Sequence, residues 1–542
     1  MRFTISHTFR FTVTLLLLST SIFSFAQKKV KVEAESMRSL TRDGQQVVRY
    51  LRNVNILHQG TTMTCDSAYL TKKEDIIEAY GHVVVTKEDT KLFGDFLYYD
   101  GNSSTGRVTG KEVKMIQKDA SLVTDVIYFN TKSNSAYYLT TGVLTNPENR
   151  LISKRGYYYS QTKKYYFADS VEMEGKDGRM YTDSLEYSTQ DEVVSFYGPT
   201  RIYNKENYVY CEKGWYNRKN EQSNFFNNAF IDNGAQKLYG QDIFYDKRNK
   251  NSRIIGQVAI VDTTRKVTIY GGKANYWGAK KEAEVLDNPL LIMDSGGDTL
   301  FLKSDIFLVN TIPDNTLPDS SYRIIKAVGA VKYFKKDLQG MCDSLLYNTK
   351  DSTISFFVDP IIWNVNNQIT ADFIKTYTTI GNKIRKMDFV GSAFIASQED
   401  SISFNQIRGK SMTAHFKDGK MSKLDVKGNG QAVYFLRDEG RIAAVNKSES
   451  SDLTATFKLN TITRKTEISR ISFIVKPVSA FYPIEKVDYE EITLKGFRWL
   501  EKSRPKSKFS IIPLGLDLVL TDAKPWFKRD IVSIYNKNKK NF

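Results

Sequence analysis

Residues Met63–Asp89 read MTCDSAYLTKKEDIIEAYGHVVVTKED, and variants of this stretch recur along the chain. Copies start at residues 63, 92, 122, 151, 180, 209 and 238, so the steps are 29, 30, 29, 29, 29 and 29 residues. Each copy opens with a run from an apolar to an aromatic residue, followed by a polar turn, a second run and a V-x-V run. Self-similarity at a fixed period of this size indicates stacked repeats, each of which buries its apolar face against its neighbours.

The composition and the periodicity both favour strands. The 542 residues are 41% hydrophobic and 13% aromatic, with 32 Tyr, 32 Phe and 11 Pro, and aromatic and β-branched residues suit a pleated sheet. Apolar and polar residues alternate between turns rich in Asn, Asp, Gly and Lys, and no helical period of 3.6 is sustained. We therefore predict an all-β fold, an elongated stack of antiparallel strands without a sizeable helical domain.

The V-x-V run of each repeat predicts which side chains face the interior. Because side chains alternate between the two faces of a strand, the outer two residues of each run share one face and form a continuous apolar stripe. The middle residue includes Lys114 and Glu172, so this position is predicted to face water. The predicted stripe residues are Val83, Val85, Val113, Met115, Val143, Val171, Met173, Ile202, Ile231, Val258, Ile260, Leu290, Ile292, Val331, Tyr333, Ile361 and Trp363. The predicted middle residues are Val84, Lys114, Leu144, Glu172, Phe230, Ala259, Leu291, Lys332, Ile362 and Phe394.

The first 26 residues have the features of an export signal. Arg2 and Arg10 precede an uncharged run, Phe11–Phe23, and Ser24-Phe25-Ala26 offers small residues before a cut at Gln27. The run is shorter than the roughly 20 residues of a membrane-spanning helix. An exported chain with no second membrane segment is predicted, and an uncleaved N-terminal anchor is the alternative.

Charge and cysteine content restrict the partners and the chemistry. The net charge is +17, from 78 Lys and Arg against 61 Asp and Glu, which favours an anionic partner such as a phosphorylated glycolipid or an anionic membrane surface over nucleic acid in an exported chain. Cys65, Cys211 and Cys342 occupy the same repeat position. Cys65 and Cys211 are five repeats apart, at least about 24 Å in a stack of strands, beyond disulfide reach. The cysteines are predicted to be small packing residues without a metal or redox role.

Two repeated columns have a functional and a structural interpretation. Aligned carboxylates can bind Ca²⁺ along a solenoid, but each repeat offers a single acid, so backbone capping at a bend is favoured. The aromatic column that ends each opening run can form a carbohydrate platform, but cross-strand aromatic packing accounts for it as well. The acids are Asp66, Asp95, Asp125, Asp183, Glu212, Asp343 and Asp372.

No constellation of residues indicates an active site. His58, His82 and His415 lack the spacing of metal ligands, and Gly271-Gly272 lies between strands, not before a helix, where a phosphate-binding loop would place it. We predict no enzyme activity, no metal and no cofactor.

The repeat unit resembles that of the OstA/LptA family. The clearest copies are MTCDSAYLTKKEDIIEAYGHVVV at residues 63–85 and LFGDFLYYDGNSSTGRVTGKEVKM at residues 92–115. The likeness covers most of the chain, from Val32 to Val475. The block IRGKSMTAHFKDGKMSKLDVKGNGQAVYF, followed by LKGFRWLEKSRP, is similar to the closing part of long OstA-like proteins. The chain is longer than a typical member, so several family-sized domains are expected in series.

The resemblance implies a β-jellyroll with a V-shaped cross-section whose apolar interior shields the acyl chains of lipid A. The stripe residues would then bind lipid in an exported, periplasmic protein that passes lipopolysaccharide toward the outer membrane, with which it is expected to associate. Expected partners are the inner- and outer-membrane components of lipopolysaccharide transport, joined by end-to-end β-strand addition, and further copies of this chain. The expected parts are a signal peptide at residues 1–26, β-repeat regions at 27–298, 299–403 and 404–480, and a basic, partly flexible tail at 481–542.

Two alternatives remain open on the residues alone. A structural or adhesive β-solenoid at the cell surface would have the same repeats around a solidly packed interior, since small barrels fill their interiors with side chains. A polysaccharide-active β-helix enzyme would need acidic and basic residues clustered on one face over adjacent repeats, and no candidate cluster is apparent.

Overall fold

The computed structural model describes residues 30–514 and 516, except residues 72, 177, 206, 295–297, 315–319, 380–382, 418–419 and 460–465. Strands make up 73% of the structure and helices 3%, and the pairings between described strands are antiparallel. The predicted all-β fold without a helical domain is confirmed. The predicted export signal lies outside the described residues.

Two compact units divide the chain. Unit 1 comprises residues 1–147 and 157–161, and unit 2 comprises residues 148–156 and 162–542. The strands of unit 1 are β1 (Lys31–Glu33), β2 (Ser36–Arg42), β3 (Gln45–His58), β4 (Thr61–Thr71), β5 (Ile76–Lys87), β6 (Thr90–Asp100), β7 (Thr105–Gln117), β8 (Ala120–Asn130), β9 (Ser135–Tyr138) and β10 (Gly142–Thr145).

Unit 2 contains β11 (Asn149–Ser153) and the strands from β13 onward, and β12 (Arg155–Tyr159) has residues in both units. Its first strands are β13 (Lys164–Gly175), β14 (Gly178–Ser188), β15 (Val193–Asn204), β16 (Tyr208–Asn217), β17 (Gln222–Asp232), β18 (Gln236–Asp246), β19 (Asn251–Asp262), β20 (Val267–Trp277), β21 (Glu282–Leu286), β22 (Leu290–Asp294), β23 (Thr299–Lys303) and β24 (Ile306–Pro313). The remaining strands are β25 (Ser321–Lys335), β26 (Leu338–Asn348), β27 (Thr353–Phe357), β28 (Ile361–Asn364), β29 (Asn367–Thr370), β30 (Phe373–Thr378), β31 (Ile384–Gln398), β32 (Phe404–Lys417), β33 (Lys420–Asp438), β34 (Arg441–Leu459), β35 (Thr466–Ile474) and β36 (Val478–Pro483).

A corner near the middle of each long strand divides it between two walls. In β5 the register shifts between Tyr80 and Val83, where Gly81 and His82 both have positive φ, +74° and +46°. The same pair of left-handed residues recurs at Gly391 and Ser392 in β31. Glycine adopts this conformation without the steric cost of a Cβ, so the Gly of the repeat marks the corner.

The inner faces of the two walls pack together beside the corner. Gly94 in one wall lies so close to Val108 in the other that an added Cβ would be 2.3 Å from the valine Cγ1, and Gly240 and Ile254 repeat this arrangement. Since an added side chain would clash at these two positions, glycine allows the two walls to approach closely there.

The segment after β36 docks on the outer face of unit 2. It contains a short helix, α1 (Tyr489–Ile492), and single 3-10 turns at Ile484–Lys486, Glu501–Ser503 and Lys508–Ser510. We call residues 484–514 the strap. Ile492 and Leu494 pack against the outer face of β33, and Ile511 and Ile512 pack against Leu290.

Among the described residues, no helix combines the length and the apolar character needed to span a membrane.

Candidate apolar groove

The inner face of unit 1 is closed by its own side chains. One inner column passes from strand to strand through Ile56, Met63, Val85, Leu92, Met115, Leu122 and Leu144. Its members are buried or packed against the buried core, and so are Val83 and Val113 nearer the corner. Four of the five predicted stripe residues of this unit, Val83, Val85, Val113 and Met115, therefore form part of a filled interior.

A hydrogen bond joins the two walls of unit 1 at the mouth. The hydroxyl of Tyr99, on one wall, lies 2.8 Å from Nδ1 of His58, on the other, and 3.0 Å from Oγ1 of Thr131. Tyr99 has no exposed surface, and its burial raises the pKa of its hydroxyl. These hydrogen bonds satisfy the buried polar groups and join the two walls at the mouth of unit 1.

In unit 2 the corresponding column becomes accessible. It runs through Met180, Ile202, Val209, Ile231, Leu238, Ile260, Ile269 and Leu291. From Ile231 to Leu291 all of its members are partly exposed, although the interior residues next to the corner, such as Val258, are buried. These partly exposed isoleucine and leucine side chains lie in an unbroken row, which is one side, or lip, of a candidate apolar groove.

Tyrosines form the facing lip. Tyr216, Tyr245 and Tyr276 are 36%, 39% and 40% exposed, whereas Tyr99, which holds the same repeat position in unit 1, is fully buried. Ser223 and Ser252 alternate with them along the column. The aromatic column predicted from the sequence therefore packs inside unit 1 and lines an open mouth over β16–β20 of unit 2.

Five predicted stripe residues face the opposite way. In the structure Leu144, Leu291 and Ile362 occupy the inner column, so Val143, Leu290, Ile292, Ile361 and Trp363 lie on the outer face. In these three repeats Gly142, Pro289 and Pro360 take the first inner position after the corner. The strand is interrupted beside these residues, so the inward-facing pair begins one residue earlier than the V-x-V pattern predicts.

The other predicted stripe residues lie on the inner side. Val171, Val258, Val331 and Tyr333 are buried near the corner, and Met173, Ile202, Ile231 and Ile260 are partly exposed. Tyr333 is fully buried, which raises the pKa of its hydroxyl far above the usual value. The prediction did not include Leu238 and Ile269, which also lie in the inner column. The sequence pattern could have identified them, because the apolar residue that opens each repeat belongs to this column.

Two of the predicted middle residues, Phe230 and Phe394, lie on the outer face of the sheet but are buried. Phe230 is buried between Tyr208 and Tyr239, with ring centroids 6.0 and 4.6 Å away, and Phe394 is covered by Phe497 of the strap. The prediction that middle residues face water is wrong at these two positions, because the outer face of unit 2 carries a second buried layer. It is also wrong at Leu144, Leu291 and Ile362, which face inward.

The acid column lies at the corners. Oδ2 of Asp95 accepts the backbone N–H of Lys111, 2.9 Å away, and Oδ2 of Asp66 lies 2.8 Å from Nδ1 of His82. This hydrogen bond and the charge of Asp66 raise the pKa of His82. Among the described residues, no group of three or more His, Cys, Asp or Glu has the arrangement of a metal site, and the capping role explains the contacts.

The three cysteines are buried free thiols in the small-residue column. Sγ of Cys65 donates to the carbonyl of Ser67, and Sγ of Cys342 donates to that of Ser344, both at 3.3 Å. Burial raises the pKa of Cys65 to about 11 and that of Cys211 and Cys342 to about 12. Thiols of this kind are poor nucleophiles and poor metal ligands at neutral pH.

Known proteins resemble parts of this chain. Residues 27–183 match the family model described as OstA-like protein. The crystal structure of LptH, the LptA homologous periplasmic component of the lipopolysaccharide transport device from Pseudomonas aeruginosa, is 17% identical, covers 31% of this chain and 81% of its own, and superposes with a TM-score of 0.12. No curated protein matches the chain significantly. The match to the OstA-like model confirms the family resemblance predicted from the repeats over residues 27–183.

Proposed function

We propose that this protein binds lipopolysaccharide without chemical conversion, shields its acyl chains between the lips of unit 2 and passes it through the periplasm toward the outer membrane. The observation that carries the proposal is the row of partly exposed apolar residues from Ile231 to Leu291, opposite Tyr216, Tyr245 and Tyr276. The OstA-like match supports the transport class, and the repeats continue the same pattern beyond the matched residues.

The physical chemistry of the groove fits an acyl chain. Removing a chain from water contributes about 0.8 kcal/mol per buried CH₂, and the contact is non-directional, so the lipid can slide from one strand to the next. A column of alternating Tyr and Ser on the other lip offers hydroxyl groups near the mouth, where a sugar headgroup would lie. No step in this scheme consumes energy within the chain, so movement depends on transport partners, which we place at the strand edges of the protein.

The groove is assigned to unit 2 because unit 1 is filled. Acyl chains cannot enter a core whose side chains are already buried unless the walls separate, and the contact of Tyr99 with His58 holds them together. Val83, Val85, Val113 and Met115 are therefore lipid-binding residues only in an opened form of unit 1.

Site-specific photo-crosslinking tests the proposal. A photoreactive residue at Ile260 lies on the inner lip, whereas the same residue at the neighbouring Ala259 faces outward, and Val113 provides a closed inner control in unit 1. After expression in cells that make lipopolysaccharide, the Ile260 variant is expected to form a lipopolysaccharide adduct at least fivefold more abundant than either control. Equal labelling at Ile260 and Ala259 would refute the groove.

The filled interior of unit 1 favours a second candidate, a structural β-solenoid without lipid. The two functions differ in what is bound after purification. Lipid extracts of the full chain purified from its native cells contain lipid A if unit 2 is a lipid groove, and contain none if the protein is only structural.

A further inference from the structure

The strap presents a fixed row of cations on the outside of unit 2. Residues 495–512 hold six cations and one anion, a net charge of +5 out of +17 for the whole chain. Nearly a third of the net charge is therefore placed on 18 residues. The exposed members of this group are Lys495, Arg498, Lys502, Lys506 and Lys508.

The inward side of the strap explains why these charges point outward. Leu494 and Ile511 are buried against the sheet, and Arg504, the sixth cation, is turned inward and donates from Nε and Nη2 to Oε1 of Gln339 at 2.9 and 2.6 Å. Gln368 and Gln406 bind the strap backbone at Leu500 and Leu494. All three glutamines are 3% exposed, so the strap is attached along its length and its other side stays in solvent.

The exposed side also carries apolar groups. Phe509 is 60% exposed and Leu514 is fully exposed, and Nζ of Lys508 lies 5.0 Å from the centroid of the Phe509 ring. Between β32, which holds Leu494, and β22, which holds Ile512, there are seven strand-to-strand steps. At about 4.8 Å each, the row extends about 34 Å.

We propose that the outward side of the strap is a docking surface for an anionic phospholipid bilayer. A row of cations this long matches a flat surface better than a compact ligand, because each cation can lie over a different headgroup. Basic residues near an anionic membrane attract it, and exposed Phe and Leu side chains insert at the boundary between headgroups and acyl chains. The strap thus holds the outer face of β22–β32 against a membrane, independently of what the groove carries.

Vesicle flotation of the full chain tests this surface. The probe is a vesicle of phosphatidylcholine with about 30% phosphatidylglycerol, an anionic lipid whose surface charge attracts basic residues, and it contains no lipopolysaccharide. The chain is expected to float with these vesicles, to stay in solution with pure phosphatidylcholine, and to lose binding as salt is raised, because salt screens exposed charges. The quintuple variant K495Q/R498Q/K502Q/K506Q/K508Q is expected to bind the anionic vesicles at least tenfold more weakly. The single variant Phe509→Ser is expected to bind them several-fold more weakly.

The matched control removes the same charge elsewhere. The variant K73Q/K91Q/K111Q/K118Q/K132Q changes five exposed lysines of unit 1 and is expected to keep most of the binding. Equal losses of binding in the two quintuple variants would overturn the proposal, because they would indicate only a general effect of net charge. Equal binding to neutral and anionic vesicles would also overturn it. Binding to an acidic protein but not to vesicles would also overturn it. The result does not depend on crosslinking at Ile260, so either proposal can fail alone.

Discussion

Replacing Gln368 by Met is predicted to loosen the strap while leaving the remaining sheet intact. The side-chain amide of Gln368 donates from Nε2 to the carbonyl of Arg498 at 2.6 Å, and its Oε1 accepts from the backbone N–H of Leu500 at 2.7 Å. The same oxygen accepts the indole N–H of Trp363 at 3.2 Å. Methionine has a similar length and no group that makes these bonds.

The free-energy cost of Gln368→Met depends on whether each group that loses its hydrogen bond to Gln368 can bond to water instead. Trp363 has no exposed surface, so its N–H stays buried without a partner, at a cost of about 1–3 kcal/mol. The two strap groups can turn to water when the strap lifts, and each loses a net contribution of about 0.5–1.5 kcal/mol. The sum is about 2–6 kcal/mol, and a value of about 3 kcal/mol corresponds to a roughly hundredfold increase in the open population of the strap.

Hydrogen exchange followed by mass spectrometry measures this opening. Peptides from residues 492–504 should exchange about a hundredfold faster in Gln368→Met, while peptides from β6 in unit 1 should keep their rates. Gln241→Met, which changes an exposed glutamine of the same unit away from the strap, should change neither. A change below threefold at residues 492–504, or equal acceleration in β6, would refute the assignment of Gln368 as a fastening residue.

Three further predictions concern unit 1 and the repeat columns. Tyr99→Phe removes the hydroxyl that bonds His58 and is expected to destabilise unit 1 by about 1–2 kcal/mol; unchanged hydrogen exchange in β6 would show that the walls are held otherwise. The cysteine thiols, whose pKa values burial raises, should react with a disulfide reagent at pH 8 only after unfolding in urea, and a thiol that reacts rapidly in the native protein would contradict the buried column. The pKa of His82 is raised by its hydrogen bond to Asp66, so the pair stabilises the fold below the unfolded-state pKa of about 6.5 and the contribution is lost as pH rises through the higher folded-state pKa. An NMR titration of His82 should show its pKa falling in Asp66→Asn, and an identical pKa in both proteins would exclude the pair.

Local sequence patterns predict much of the architecture. The period of 29 residues, the alternation within each run and the small residue before each acid predicted an all-β stack whose inner stripe passes through Val83, Val258 and Ile260, and the structure places these three residues inside. Such features are readable because strand alternation has a period of two and repeats average out single deviations. The prediction failed where one residue interrupted the count, as Pro289 and Pro360 do, since a shift of one position reverses the face of every following side chain.

Local sequence patterns are sufficient to predict the strand class, the repeat and most of the inner stripe of this protein. The filled interior of unit 1 and the partly exposed column of unit 2 depend on long-range packing, because they follow from whether side chains as distant as His58 and Tyr99 meet across the mouth. The docking of the basic strap has the same origin, because its partners Gln368 and Gln339 lie 130 or more residues away along the chain. Contacts at that separation leave no periodic trace in the sequence, since they are set by how the walls and the strap pack and not by the order of neighbouring residues.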